Sequence, residues 1–334
     1  MKMRKSLFVF MVFWLSMTLL LAGCGNTTGP TATVSQTSTG SVSATTSVDN
    51  VPKGSIAFWG SVTCAEKCAK VEKELNDNGI PFQLWEINPI ISPTTAYESY
   101  DVLIKVLRAL NPPDKPTLPI ALYFSDTGSI KGVSIGIVEP TKIIDIYKKA
   151  LENTSPYLYM KNATVKITST QMQAVENLVG QWQRVKKPTL KQMQDVYVEI
   201  ENLQMPSATD TVKDGFLVFG TTSCPYTKGM YLWLKKIYGE DHVRFIDVSR
   251  YSDEYGKLTS VLFGKEAEGI PLVMAFRGGR PVLAWIGFRP PSYIKSYLET
   301  YQDGFYVWKE DTFQRVEEDI AEKALKIIDD MLQR

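Results

Sequence analysis

The sequence predicts an α/β protein with two domains of the same plan, each a central mixed sheet flanked by helices. The predicted order of elements, βαβαββα, runs from Gly54 to Leu151 and returns from Gly215 to Tyr301. A repeat period of about 160 residues is too long for a solenoid and fits tandem domains. With 334 residues, 44% of them hydrophobic and 22% charged, the chain is long and apolar enough for two cores.

The first segment opens with an apolar strand at 55–59, and a loop containing Cys64 then leads into a helix that ends near Asn78. Apolar periodicity and turn residues predict the elements that follow. These are a strand at 82–87, a helix near 97–110, two strands joined at 126–128 and a helix at 140–151.

The second segment repeats this order. It begins with a strand at 216–219, and Cys224 then opens a helix that ends at Tyr238. The remaining predicted elements are a strand at 243–248, a helix near 254–263, a hairpin that turns at 278–279 and a helix at 291–301.

The N-terminus predicts export and a lipid anchor. Residues 1–5 carry three positive charges and residues 7–22 are almost wholly apolar, which is the pattern of a secretory signal peptide. The apolar run ends in Leu21-Ala22-Gly23-Cys24, which resembles the bacterial lipobox. We therefore expect a signal peptide at 1–23 and a lipidated Cys24 on the extracytoplasmic face of a bacterial membrane. The alternative is an uncleaved anchor helix, because roughly 18 uncharged residues begin to be enough to span a bilayer.

Composition shifts set the other boundaries. Residues 24–52 are rich in Ser and Thr and almost uncharged, which is typical of a flexible tether. The two α/β segments correspond to domains at 53–152 and 212–302. Between them, apolar residues at helical spacing in 153–211 predict a connector of two amphipathic helices. Residues 303–334 predict one amphipathic helix that docks on the second domain or on a partner.

Two local patterns occur in these outer segments. Thr189 and Gln192, after Pro188, form a capping-box pattern at the start of the second connector helix. In the C-terminal segment, Phe313 and Val316 belong to the apolar face of the predicted helix.

The second segment resembles glutaredoxin over some 90 residues. The stretch 219–228 (FGTTSCPYTK) is similar to the strand-to-helix active site of that family, with Thr227 where a second cysteine usually stands. Gly269-Ile270-Pro271 falls where the family places its cis-proline. The resemblance implies a thioredoxin-like domain with a monothiol site at Cys224.

The first segment resembles thioredoxin over about 100 residues. Phe58-Trp59 precedes Cys64-Ala65-Glu66-Lys67-Cys68, and Leu118-Pro119 follows further along the chain. Three residues separate the two cysteines instead of the two of the family. The resemblance implies a second thioredoxin-like domain with a dithiol site at Cys64 and Cys68.

Thiol chemistry favours a cysteine at the start of a helix, because backbone N–H groups and the helix dipole there stabilise the thiolate. Pro225 is tolerated at the first helical position and would place Cys224 there. Lys228 adds a favourable charge, and Thr227 can donate a hydrogen bond to the sulfur. Since Thr227 cannot displace a mixed disulfide, a redox cycle at this site needs a second thiol from elsewhere.

Cys64 and Cys68 lie four residues apart. In a regular helix this spacing separates the Cβ atoms by about 5 to 6 Å, whereas a disulfide needs about 3.8 Å. Cys64 must therefore lie in the loop before the helix if the pair is to close. The alternatives to a redox site are a closed structural disulfide and two inert thiols.

The prolines predict a substrate ledge. In the fold that these segments resemble, a cis X-Pro bond places the backbone of the preceding residue beside the reactive sulfur, where an extended peptide can pair with it. The predicted substrate-binding residues are Leu118, Pro119, Ile270, Pro271, Tyr226 and Thr227. Such a ledge serves a binding domain as well as an enzyme.

The charge balance gives no indication of a nucleic-acid partner. The chain carries 37 basic and 36 acidic residues, and loss of the leader leaves 34 basic residues against 36 acidic ones. His242 is the single histidine and fits a surface loop, and no cofactor is predicted.

These observations favour a lipid-anchored thiol-disulfide oxidoreductase that exchanges disulfides with thiols of envelope proteins. Two alternatives stay open. One is a redox-inactive scaffold or peptide-binding assembly protein. The other is a copper carrier, because a CxxxC pair on this fold resembles the copper-delivering assembly factors of cytochrome oxidase. Those factors need a distant histidine in the same domain, which the first segment lacks, so Cys64 and Cys68 would hold only cuprous ion.

Overall fold

The computed structural model describes residues 53–64, 66–264 and 269–333, and at 66–69 the backbone alone. Within these residues the chain divides into two compact units, 53–197 and 198–333. The predicted signal peptide, Cys24 and the whole predicted tether lie outside the described residues. Among the helices that are described, none has the length and apolar character needed to cross a bilayer.

The first unit is built on a six-stranded mixed sheet with the strand order β2-β1-β3-β4-β5-β6. The pairs β1–β2 and β4–β5 are parallel, and the other neighbouring strands run antiparallel. Its strands are β1 (Ile56–Gly60), β2 (Phe82–Glu86), β3 (Ile120–Phe124), β4 (Ile130–Ile135), β5 (Tyr157–Tyr159) and β6 (Thr164–Lys166). Its helices are α1 (Glu66–Asp77), α2 (Ala96–Leu110), α3 (Pro140–Glu152) and α4 (Ser169–Gln183).

The second unit repeats this topology, with the strand order β8-β7-β9-β10-β11-β12 and parallel pairing at β7–β8 and β10–β11. A further helix, α5 (Leu190–Glu201), precedes it, and the division between the units falls inside α5. The strands are β7 (Gly215–Gly220), β8 (Val243–Asp247), β9 (Leu272–Arg277), β10 (Arg280–Ile286), β11 (Phe305–Lys309) and β12 (Thr312–Val316). The helices are α6 (Pro225–Tyr238), α7 (Ser252–Phe263), α8 (Pro291–Thr300) and α9 (Glu318–Leu332).

The two-domain α/β prediction is confirmed at this level, and the repeat is longer than the sequence indicated. After the predicted βαβαββα core, each unit adds a hairpin and a helix: β5, β6 and α4 in the first, β11, β12 and α9 in the second. The hairpin continues the sheet, and the added helix packs against the second helix of its unit. Each sheet therefore has six strands where the sequence predicted four.

The outer segments differ from their predictions for this reason. Residues 153–211 contain a hairpin as well as two helices, so they are not a purely helical connector. Residues 303–334 are a hairpin followed by a helix, and Phe313 and Val316 belong to β12 instead of the helix. Strand β5 has only three residues, which is too short for a period-two pattern to stand out.

Local sequence patterns determine where helices α4 and α5 begin. At α5, the Thr189 and Gln192 side chains each accept a hydrogen bond from the other residue's backbone N–H, which confirms the predicted capping box. A second box, which the sequence analysis did not identify, begins α4 with Thr168 and Gln171. The Gln171 side chain also donates to the carbonyl of Leu110 at the end of α2, at 2.8 Å. Gln171 thus links the added helix to the core.

Aromatic packing closes the core of the first unit. The rings of Trp59 and Trp85 lie 4.7 Å apart, and Trp182 from α4 lies 6.4 Å from Trp85. The ammonium group of Lys187 sits 4.4 Å above the Trp182 ring, and burial lowers the pKa of Lys187 to about 8. Helix α4 is therefore an integral part of this core.

The outer edge of β8 in the second unit pairs at Phe245 with a segment of the same chain. Ser207 forms a parallel bridge with Phe245, and the N–H of Ala208 donates to the Phe245 carbonyl at 2.7 Å. The segment that follows α5 thus lies along the sheet before β7 begins.

Candidate functional site

Cys64 lies in a short 3₁₀ turn, Val62–Cys64, between β1 and α1. Its side chain is exposed, and its N–H donates to the carbonyl of Ser61 at 3.2 Å. The Ser61 and Thr63 hydroxyls are 2.9 Å apart in the same turn. Cys64 is therefore outside the helix, as the spacing argument predicted.

Cys68 falls in the first turn of α1, and its side chain is outside the described residues. Neither Cys64 nor Cys224 is a free thiol, but no sulfur–sulfur pair lies within the described part of the chain. The Cys64–Cys68 pairing therefore stays a prediction.

Cys224 occupies the equivalent turn of the second unit. It is the N-cap residue of α6 with Pro225 at the first helical position, as predicted. Its N–H donates to the carbonyl of Thr221 at 3.2 Å, and the Thr221 and Ser223 hydroxyls are also 3.2 Å apart. The two turns thus share one hydrogen-bond pattern.

The two cysteines differ in exposure. Cys224 has no solvent-accessible surface, whereas Cys64 is exposed. Of the two described cysteine turns, the one at Cys64 is therefore the more accessible to another molecule.

Three residues that the sequence placed near Cys224 lie in the first turn of α6. Thr227 is fully buried and lies against Gly220, where an added Cβ would be 2.3 Å from the threonine Oγ1. That Oγ1 has no hydrogen-bond partner among the described residues, so the predicted bond to the Cys224 sulfur is absent. The Lys228 ammonium donates to the carbonyl of Glu201 at 2.8 Å. Burial raises the pKa of Tyr226 to about 12.

Both predicted prolines lie at the same end of their sheets as the cysteine turns. The Leu118-Pro119 and Ile270-Pro271 bonds are cis. Each proline immediately precedes the strand that pairs antiparallel with the strand leading to the cysteine. The pairing places Ile120 opposite Trp59 in the first unit and Leu272 opposite Phe219 in the second.

Leu118 and Ile270 are partly exposed, and the sequence prediction places the substrate backbone beside these residues. Their contact with a substrate stays a prediction.

Glu86 is a site residue that the sequence analysis missed. It ends β2 opposite Gly60 and is only 3% exposed. Its carboxylate accepts hydrogen bonds from the N–H groups of Val62 at 2.9 Å, Ile87 at 3.1 Å and Asn88 at 2.8 Å. Burial raises its pKa to about 7, and hydrogen bonds from these groups and the Ser61 side chain oppose the rise. An acidic residue at the end of an apolar strand was the available signal.

The described residues offer no metal centre. No group of three or more His, Cys, Asp and Glu side chains is placed to hold an ion anywhere in that part of the chain. His242 is exposed, as predicted, and its Nδ1 lies 2.8 Å from the carbonyl oxygen of Asp214.

Comparison of the chain with protein-family models, with curated proteins and with solved structures finds no match. Inferences about activity therefore rest on the geometry of the two turns.

Proposed function

We propose that this protein is an exported, lipid-anchored thiol-disulfide oxidoreductase with two thioredoxin-like units, in which Cys64 and Cys68 exchange disulfides with envelope proteins. The observation that carries the proposal is the exposed Cys64 in the strand-to-helix turn, at the sheet end that also holds Pro119. Lipidation of Cys24 would keep this site close to a membrane.

The strand pattern supports the thioredoxin-like assignment. In each unit the strand before the cysteine pairs in parallel with the second strand and antiparallel with the third, and a fourth strand adds antiparallel. A cis-proline precedes the third strand in both units. The added hairpins and helices extend this arrangement without interrupting it.

The chemistry is a two-step exchange. The Cys64 thiolate attacks one sulfur of a substrate disulfide, which forms a mixed disulfide and releases the other substrate sulfur as a thiolate. The Cys68 thiolate then attacks the Cys64 sulfur, which releases the second substrate thiol and leaves a Cys64–Cys68 disulfide. The substrate gains two electrons and the protein loses two, and the reverse sequence oxidises a substrate dithiol.

The second unit favours a binding role in the same protein. Its cysteine is buried, its Thr227 cannot resolve a mixed disulfide, and its strand-to-helix turn keeps the shape of the first. A groove beside this turn is lined by Glu201, residues 203–206, Thr222 and Lys228. We propose that this unit holds part of a substrate or partner while Cys64 carries the exchange.

Trapping in the native host tests the proposal. In the Cys68→Ser variant the resolving step is lost, so mixed disulfides between Cys64 and envelope proteins should accumulate as reducible high-mass bands. Cys64→Ser should abolish these bands, and Cys224→Ser should leave them unchanged because that sulfur is buried. Absence of any bands with Cys68→Ser, with the variant folded and exported, would overturn the exchange function.

A further inference from the structure

We propose that Glu86 is the positioning residue of the Cys64 turn: its carboxylate fixes the backbone at Val62 and makes thiol reactivity depend on its own ionisation. The proposal rests on the proposed exchange function and adds that pH regulates the exchange through Glu86. Glu86 does not touch a substrate in this scheme and acts only through the turn.

The hydrogen bonds of Glu86 join the turn to the neighbouring strand. One carboxylate oxygen accepts from Val62 in the turn, and the other accepts from Ile87 and Asn88, which follow β2. The Ser61 hydroxyl also bonds to this carboxylate, and the Ser61 carbonyl accepts from the Cys64 N–H. One buried side chain therefore ties the backbone just before the cysteine to the residues that follow β2.

The second unit shows what happens with a shorter side chain. Asp247 lies opposite Gly220 in β7, as Glu86 lies opposite Gly60 in β1. Its Oδ1 accepts from the N–H and hydroxyl of Ser249 instead of from the cysteine turn. The carboxylate link to the turn is thus a property of the unit whose cysteine is exposed.

Protonation would disrupt this arrangement. An ionised carboxylate only accepts hydrogen bonds, whereas a carboxylic acid has one O–H donor and less acceptor capacity. With several donors directed at Glu86, adding a proton leaves one of them without a good acceptor. The pKa of about 7, raised by burial, puts this change near neutral pH.

The titration of Glu86 has to be distinguished from that of other titratable groups around it. Cys64 lies in the turn itself, and Lys187 lies 5.9 Å from the ring of the adjacent residue, Trp85. Side chains alternate between the faces of a strand, so Lys187 approaches β2 from the other face. Helix α2 packs against β2, and its charged side chains are exposed. These are Glu98, Asp101, Lys105 and Arg108.

Amide signals give a direct test on the reduced full-length chain. Between pH 5.5 and pH 8.5 the NMR shifts of the Val62, Ile87 and Asn88 amides should move together with one midpoint near 7. The movement should vanish in Glu86→Gln and persist in Asp247→Asn and in Lys187→Met. A Val62 amide that does not move in the wild-type chain would overturn the proposal, and this measurement requires no variant.

The rate of alkylation by iodoacetamide measures the reactivity of the Cys64 thiol. Tryptic cleavage at Lys53 and Lys67 isolates Cys64 from Cys68, so mass spectrometry can follow Cys64 alone. At pH 9.5 a thiol of ordinary pKa is ionised in the wild type and in the variants alike, so any difference in rate reflects how the turn positions Cys64. Glu86→Gln and Glu86→Asp should then slow alkylation by roughly tenfold. Asp247→Asn should leave the rate unchanged. A Glu86→Gln rate within about twofold of the wild-type rate would contradict the positioning role.

These measurements are independent of the trapping experiment. If mixed disulfides with envelope proteins never form but the amide titration and the alkylation loss are seen, Glu86 positions Cys64 and the exchange function fails. If mixed disulfides form and the Glu86 variants behave like the wild type, the exchange function stands and the positioning role fails.

Discussion

Two cysteines in equivalent turns have different surroundings in this protein. The turns share the hydrogen bond from the cysteine N–H to the carbonyl three residues before it. In the first turn a buried carboxylate accepts a backbone hydrogen bond and the cysteine is exposed, whereas in the second turn the cysteine is buried and the Asp247 carboxylate bonds to Ser249 instead. Equivalent backbone positions therefore do not imply equivalent exposure, because side-chain packing differs between the two turns.

The buried Glu86 should make stability depend on pH. Its pKa is raised from 4.5 to about 7 by folding, so the folded protein holds the proton more tightly than the unfolded chain. The favourable contribution is complete below pH 4.5 and is lost as pH rises through 7, by about 1.4 kcal/mol per pH unit and about 3 kcal/mol in all.

Urea denaturation at pH 5, 6, 7 and 8 measures this dependence. The free energy of unfolding of the wild type minus that of Glu86→Gln should fall across this range. Asp247→Asn serves as the control, because Asp247 is partly exposed and lacks the Val62 contact. A difference that stays flat or rises would contradict the assigned sign.

The sequence could identify the cysteine positions but not Glu86. Cys64 and Cys224 follow short apolar strands and precede helical periodicity, so their placement needs only local pattern. The burial of Glu86 depends on β1, on the turn and on residues 87–88 meeting around it. The burial of Cys224 likewise depends on tertiary packing, and no local pattern distinguishes it from Cys64.

Close packing joins β7 to α6 at the second cysteine turn. Gly220 ends β7, and an added Cβ there would meet the Oγ1, Cγ2 and Cβ atoms of Thr227 at 2.3, 2.5 and 3.0 Å. The absence of a side chain at Gly220 thus permits the first turn of α6 to lie against the strand.

Gly220→Ala should destabilise the second unit by about 1 to 3 kcal/mol, because the new methyl group overpacks this contact. Thr227→Ala should recover part of the loss in the double variant. Gly180→Ala is the matched control: Gly180 lies in α4 with open space around it, so alanine there should add about 0.5 to 1 kcal/mol through helix propensity. Thermal unfolding of the four chains gives the comparison, and equal effects of the two glycine substitutions would contradict the packing argument.

Helices were easier to predict than the added strands. The apolar periodicity of α4 and α5 and the Thr189–Gln192 box are local signals, and both helices occur. The hairpin strands β5 and β6 have three residues each, and the pairing of β5 with β4 is a long-range event that no local pattern encodes. In the C-terminal segment, Phe313 and Val316 are three residues apart, which fits helical spacing even though both lie in a strand.

At the scale of the whole molecule, the repeat unit is a ten-element plan instead of the seven-element plan predicted. Both copies extend the sheet with a hairpin and return a helix onto the second helix of the core. Trp182 in the first copy is 2% exposed and packs on Trp85. The added helix thus covers apolar surface that a core of seven elements would expose.

Fragments should show where the first unit ends. A fragment of residues 53–187 should unfold cooperatively in urea, whereas a fragment of residues 53–152 should lack a cooperative transition and bind hydrophobic dyes, because the surface that α4 covers becomes exposed. In the second unit, residues 203–334 and 203–302 form the matching pair. A cooperative 53–152 fragment as stable as the longer one would show that the hairpin and α4 are accessory.

The strip of chain at Ser207 and Ala208 has a consequence for association. An outer strand with unpaired backbone groups invites a foreign strand to join it, which is a common route to aggregation. Here β8 already has a neighbour supplied by the same polypeptide. A foreign strand that paired along the whole of β8 would have to displace this contact at Phe245.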